Sequence, residues 1–181
     1  MKKLAISIFT ALLVVTNGAI AQAEGSGAES PKEVRMRSVL YSADYDSMMA
    51  KVQKRQFAEA FPEMIRFARY GEKYAQYLAG LLLVTGEGGI QSNVEEGLVW
   101  MRLSLEQETT DWERRYESIT KNLTKEQLDA LNPLYDEFKS KYGADAQFMR
   151  CGYERMRGSN MRHHICRKNL LMNEYYTVVE H

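Results

Sequence analysis

Residues 75–100 read AQYLAGLLLVTGEGGIQSNVEEGLVW. Ahead of the glycines, Tyr74, Tyr77, Leu78, Leu81 and Leu82 recur at the spacing of a helix face. Ala75 and Gly80 are small residues on that face, so a second helix can approach closely there. Gly86, Gly88 and Gly89 let the backbone turn through conformations that cost other residues energy. Asn93 has the side chain of a helix N-cap, and a second helix is expected from Val94. Leu98, Met101, Leu103 and Leu105 spread around that helix, so both of its sides are expected to pack. Trp100 is expected as a wedge in the core. The whole is a helical hairpin closed by a glycine turn.

Upstream, residues 24–31, EGSGAESP, have the composition of a flexible linker. Ser30 and Glu33 have the spacing of a capping box, with Pro31 where a first helical residue is tolerated, so a helix is predicted to start there. Helix then continues in pieces to Tyr70. Tyr45, Met48, Met49 and Val52 mark one stretch, and Phe57, Ala60, Phe61, Met64, Ile65 and Ala68 a second that Gly71 ends. Downstream, Trp112, Tyr116, Ile119 and Leu123 form one helical face. Thr124 and Gln127 make a capping box, and Leu128, Leu131, Tyr135, Phe138 and Tyr142 form a long seam that Pro133 only bends and Gly143 ends. A short helix is predicted over Leu170–Tyr176 and a short strand over Tyr175–Val179.

The order Ala75, Gly80, Gly86, Gly88, Trp100 resembles a Sel-one-like repeat, a tetratricopeptide-type hairpin. Five positions of the family pattern are kept in register, while Ala79, Leu83, Ile90, Asn93 and Gly97 stand where Leu, Tyr, Val, Asp and Ala are usual. The Ala60–Ala68–Gly71 pattern resembles the second helix of an eroded repeat. The resemblance implies an all-α fold of antiparallel helical hairpins and a role in binding other proteins on a concave face. Some cysteine-rich members are linked to β-lactam binding or hydrolysis. They carry a disulfide in each repeat, and no cysteine lies within residues 75–104 here, which counts against that activity.

The N-terminus has the form of a secretory signal peptide. Lys2 and Lys3 precede an apolar run from Leu4 to Val15, and Ala21-Gln22-Ala23 supplies a cleavage site. The run is short of the ~20 apolar residues a spanning helix needs. Export to the periplasm and cleavage after Ala23 are expected, with no stable membrane insertion afterwards. The chain has 181 residues, with Lys+Arg 24 against Asp+Glu 24. Such a balance argues against general nucleic-acid or membrane-surface binding.

The charge is uneven, however. Residues 150–168, RCGYERMRGSNMRHHICRK, are strongly basic and contain Cys151 and Cys166, the chain's two cysteines. An even count in an exported chain points to a disulfide. Arg155, Arg157 and Arg162 between them are candidates for contact with an anionic partner. The competing reading is a metal or redox site of Cys151, His163, His164 and Cys166. The spacing is not a zinc-finger pattern, adjacent histidines point apart on regular structure, and an oxidising compartment opposes free thiols. No C-x-x-C, nucleophile elbow, S-x-x-K or phosphate-binding loop occurs. Glu95, Glu96 and Glu106 read as a solvated helix face.

The expected organisation is a signal peptide at 1–23, a linker at 24–31, and a helical repeat domain at 32–143, its clearest repeat at 72–106. A basic disulfide-tied extension follows at 144–181. The expected function is a periplasmic adaptor for a cell-envelope protein, with no cofactor and no catalysis.

Overall fold

The computed structural model describes residues 30–155, 158 and 160–181. The leader with its cleavage site, most of the linker and Arg157 lie outside the described residues. The first element among the described residues is a strand, β1 (Lys32–Arg37), not the helix that Ser30, Pro31 and Glu33 implied. Val34 and Met36 alternate inward against the core, while Arg35 and Arg37 face out. Period two wins here because a partner strand is supplied from far along the chain.

Helices then pair. α1 (Ser38–Gln53) packs on α2 (Phe57–Arg69), and α3 (Lys73–Thr85) on α4 (Val94–Ser104). The turn between α3 and α4 begins at Gly86, whose φ of 69° makes it a left-handed cap. Asn93 caps α4 by accepting the backbone N–H of Glu96 at 3.3 Å. The two helices meet at Gly80 and Gly97. A Cβ on Gly80 would lie 2.6 Å from the Gly97 carbonyl oxygen, and one on Gly97 2.8 Å from that of Gly80. No larger residue fits this crossing without moving backbone.

Helix α4 is central. Leu98, Val99, Trp100, Met101 and Leu103 are all buried, whereas Leu105, expected on the same helix, falls just beyond its end and is half-buried. Trp100 meets Phe138 edge-on at 4.6 Å and donates its indole N–H to Glu96 Oε1 at 3.1 Å. Around it lie Met48, Met64, Phe67, Leu82 and Val178. Full burial of each such side chain stabilises by ~1.5–3 kcal/mol. A second cluster joins Leu98, Val99 and Leu131 to Tyr116, Ile119, Leu123 and Leu134.

After α5 (Thr110–Thr120), the predicted capping box opens α6 (Lys125–Asp129), with Thr124 and Gln127 exchanging both hydrogen bonds. The long seam is two helices rather than one bent helix. The chain breaks at Ala130–Leu131, and Pro133 sits in the first turn of α7 (Asn132–Tyr142), where its missing N–H costs nothing.

The C-terminal stretch makes the fold mixed rather than all-α. β2 (Met149–Arg155) and β3 (Arg162–Lys168) form an antiparallel pair, and β4 (Tyr175–Glu180) pairs with β1, Lys32 opposite Glu180. The short helix expected over Leu170–Tyr176 is instead a turn with an isolated bridge from Leu171 to Tyr175. Cys151 and Cys166 stand directly opposite on β2 and β3 and are disulfide-bonded, with sequence separation 15.

Candidate functional site

Helices α3 and α5 contribute rings to one face. Tyr74 and Tyr77 lie three residues apart on α3, so they project to the same side. Trp112 of α5 reaches across to them. The Tyr77–Trp112 centroids are 4.8 Å apart with planes 10° from parallel, and Tyr74 lies 5.9 Å from Trp112 at 21°. Tyr74 remains 39% exposed, so the stack is open to solvent. Trp112 therefore leaves the seam assigned to it. Tyr116, Ile119 and Leu123 turn into the second core cluster while Trp112 turns outward to the tyrosines. Burial pushes the Tyr77 hydroxyl above the usual tyrosine range, and nearby Arg115 opposes that. Near-parallel rings of this kind accept flat groups: a guanidinium, another aromatic ring, a peptide plane.

Tyr41, Tyr45, Asp46, Glu72, Arg167 and Lys168 line a pocket of about 250 Å³. Tyr41 donates its hydroxyl to Glu72 Oε1 at 2.7 Å. Burial pushes the Glu72 carboxyl up, while the Tyr41 bond and the ammonium groups of Lys168 and Lys73 pull it back. Burial pulls Lys168 down to about 8 despite Glu72. The Tyr41 and Tyr45 hydroxyls are pushed well above the usual range, again mainly by burial. Lys168 Nζ donates to the Gln147 carbonyl at 2.9 Å, which ties it to the framework.

Below this face runs a buried polar network that the sequence did not announce. The Lys73 side chain is wholly buried and reaches Glu106 Oε2 at 2.6 Å and Gln76 Oε1 at 3.1 Å. Glu106 Oε2 also accepts the Ala144 N–H at 2.8 Å. Gln76 donates to the carbonyls of Ala68 and Tyr142, both at 2.9 Å. Gln147 donates to the Val179 carbonyl at 2.9 Å and accepts the Val179 N–H at 3.1 Å. Burial lowers the Lys73 ammonium below the usual lysine range, against the pull of Glu106. Isolated burial of such a charge is costly, and the pair with its added hydrogen bonds offsets that cost. Glu106 is thus no solvated residue but the junction of α3 with the C-terminal stretch. Glu96 is tied to Trp100 and Asn93, and of the three carboxylates only Glu95 is exposed and solvated.

The other residues singled out in the sequence fall as follows. Ala75 is buried, and a Cβ on Gly88 would lie 2.6 Å from Phe57 Cβ. The disulfide consumes both thiols, so Cys151 and Cys166 cannot ligate a metal. His163 is exposed, whereas His164 lies on the opposite side of the strand, its ring 5.1 Å from Tyr153. Among the described residues no group of three His, Cys, Asp or Glu side chains is placed to hold a metal ion. Arg155 and Arg162 are exposed and directly opposite each other on β2 and β3. Among the described residues no helix is long and apolar enough to cross a membrane.

No protein-family model matches the chain, and no curated protein matches it. Among solved structures, the chain is similar to a protective antigen present in uropathogenic Escherichia coli strains that displays an SLR fold. The identity is 22% and the TM-score 0.47, over 59% of this chain and 24% of that one, so the chain spans about a quarter of that protein's length.

Proposed function

We propose that this chain is a periplasmic binding module that holds a segment of a cell-envelope protein against the face formed by α3 and α5, and that it catalyses no reaction. The observation that carries this reading is the solvent-open stack of Tyr74, Tyr77 and Trp112. Tyr and Trp are the residue types on which protein interfaces concentrate their energy, because they offer large rigid contact area with a polar tip. A separate pocket lies at Tyr45 and Glu72. The ionisable groups there are engaged in holding elements together rather than arranged as nucleophile and base. Arg155, Arg157 and Arg162 offer a second contact, for an acidic stretch of the same partner.

Affinity capture from envelope extract, followed by a measured Kd for the captured protein, tests this. Tyr77→Ala with Trp112→Ala should weaken binding by about 2 kcal/mol or more. Arg155→Ser with Arg162→Ser should weaken it only at low salt, since exposed charges are screened over ~8–10 Å. Equal affinity of the aromatic variant and the wild type would refute the assignment of the face.

A further inference from the structure

Most large apolar side chains of a folded chain that stay exposed do so singly. Here six gather at one end: Val39 and Leu40 at the start of α1, Phe148 before β2, and Leu170, Leu171 and Met172 in the turn before β4. Two hydrogen bonds hold these segments together. Ser38 N–H donates to the Glu174 carbonyl at 2.8 Å, and Asn169 Nδ2 donates to the Phe148 carbonyl at 3.0 Å. Met172 is 92% exposed and tops the turn.

The turn is closed by backbone hydrogen bonds. Asn173 and Glu174 both adopt positive φ, 78° and 62°. For glutamate that conformation is unfavourable. It is held by Glu174 N–H donating to the Leu171 carbonyl and Leu171 N–H to the Tyr175 carbonyl. The effect is to present Leu170, Leu171 and Met172 outward instead of folding them onto the core.

Basic residues flank this tip. Arg35 and Arg37 lie on the outward side of β1, opposite Thr177 and Tyr175 as β4 leaves the turn. Neither is in an ion pair with a described residue. Glu174 is the one carboxylate in the turn itself.

We infer that this end of the molecule docks on an anionic lipid surface, with Leu170–Met172 and Val39–Leu40 entering the headgroup boundary and Arg35 and Arg37 meeting lipid phosphates. Shallow apolar insertion beside basic residues is the chemistry by which proteins lie on membranes without spanning them. A second copy of the chain fits less well. A symmetric contact would bring the arginines of two copies together.

The test is flotation of protein recovered from the periplasm of an exporting host with vesicles of phosphatidylglycerol or of phosphatidylcholine. The expected result is binding to the anionic vesicles and not the neutral ones, lost as salt is raised. Leu170→Asp with Met172→Asp should weaken it at least about tenfold, because it removes the inserting surface. Arg35→Ser and Arg37→Ser should each weaken it about fivefold, the factor equivalent to ~1 kcal/mol per basic residue at an anionic surface. All four side chains are exposed, so the melting temperature should not move. Absence of binding to anionic vesicles, or wild-type binding by the aspartate variant, would overturn the inference. So would a dimer in sedimentation velocity that the aspartate variant disperses, since the patch would then be covered by a second copy.

Discussion

Replacing Gly80 by alanine separates helix propensity from packing. In an open helix the change would stabilise by up to ~1 kcal/mol. At the α3–α4 crossing the new methyl would lie 2.6 Å from the Gly97 carbonyl oxygen, 2.6 Å from Met101 Cγ and 2.8 Å from Met101 N. Two of those three atoms are backbone, so no rotamer relieves the overlap. Ordinary contact begins near 3.4 Å, and α4 must therefore retreat by roughly 0.8 Å. A gap of that size forfeits a quarter to a half of the dispersion energy of the atoms along it. Overpacking of this kind costs ~1–3 kcal/mol, occasionally more. With the propensity gain subtracted from the middle of that range, Gly80→Ala should destabilise by about 1 kcal/mol. That corresponds to a fall in Tm of about 2–4 °C for a chain of this size. Urea unfolding followed by far-ultraviolet circular dichroism should show a lower midpoint at unchanged slope. Gly152→Ala, where an added Cβ meets nothing within 4 Å, is the control and should leave the midpoint nearly unchanged. If Gly80→Ala is as stable as the wild type, the two helices are not in close backbone contact and the reasoning fails.

Trp100→Ala should destabilise by ~3–5 kcal/mol, since the ring is 1% exposed and packs on Phe138 and Tyr142; an unchanged melt would exclude that role. Cys151→Ser with Cys166→Ser should cost ~3 kcal/mol for a loop of about 15 residues, and non-reducing peptide mapping should recover Cys151 and Cys166 linked. Stability should rise between pH 8 and 10 by on the order of 1–2 kcal/mol. In that window unfolded Lys168 still holds a proton that the folded state, with its value lowered to about 8, has released. Above about pH 10 the sign reverses, because unfolded Tyr41 and Tyr45 ionise while the folded hydroxyls stay protonated. Melting curves across pH 7–11 check both limbs, and Lys168→Met should flatten the first.

Local signals gave the helices and their ends. Asn93, Thr124 with Gln127, and Gly143 mark boundaries through hydrogen bonds made within a few residues, so the sequence carries them directly. The expected pairing of Cys151 with Cys166 needed only the count of two and an exported chain. The rest depends on partners far apart in the chain. β1 carries a capping-box pattern and becomes a strand only because β4 arrives beside it. Lys73 and Glu106 have no local mark of burial; their environment is made by α7 and the segment after Gly143. Trp112 has the spacing of a seam residue, and only the position of Tyr77 on another helix draws it outward. The aromatic face, where the candidate site lies, was therefore the least legible part.

The pairing of β1 with β4 has a kinetic consequence. The helical hairpins close through contacts between neighbours in sequence and can form as soon as their own residues are free. β1 must wait for residues 175–180, so its ladder closes a loop spanning nearly the whole described chain, which is slow to form. Val34 and Met36 remain uncovered until then. Substitutions in this ladder should speed unfolding more than they slow folding, since contacts made after the barrier report on the reverse rate. For a chain proposed to be exported before it folds, this is useful timing: β1 has no partner until β4 has been delivered to the same compartment.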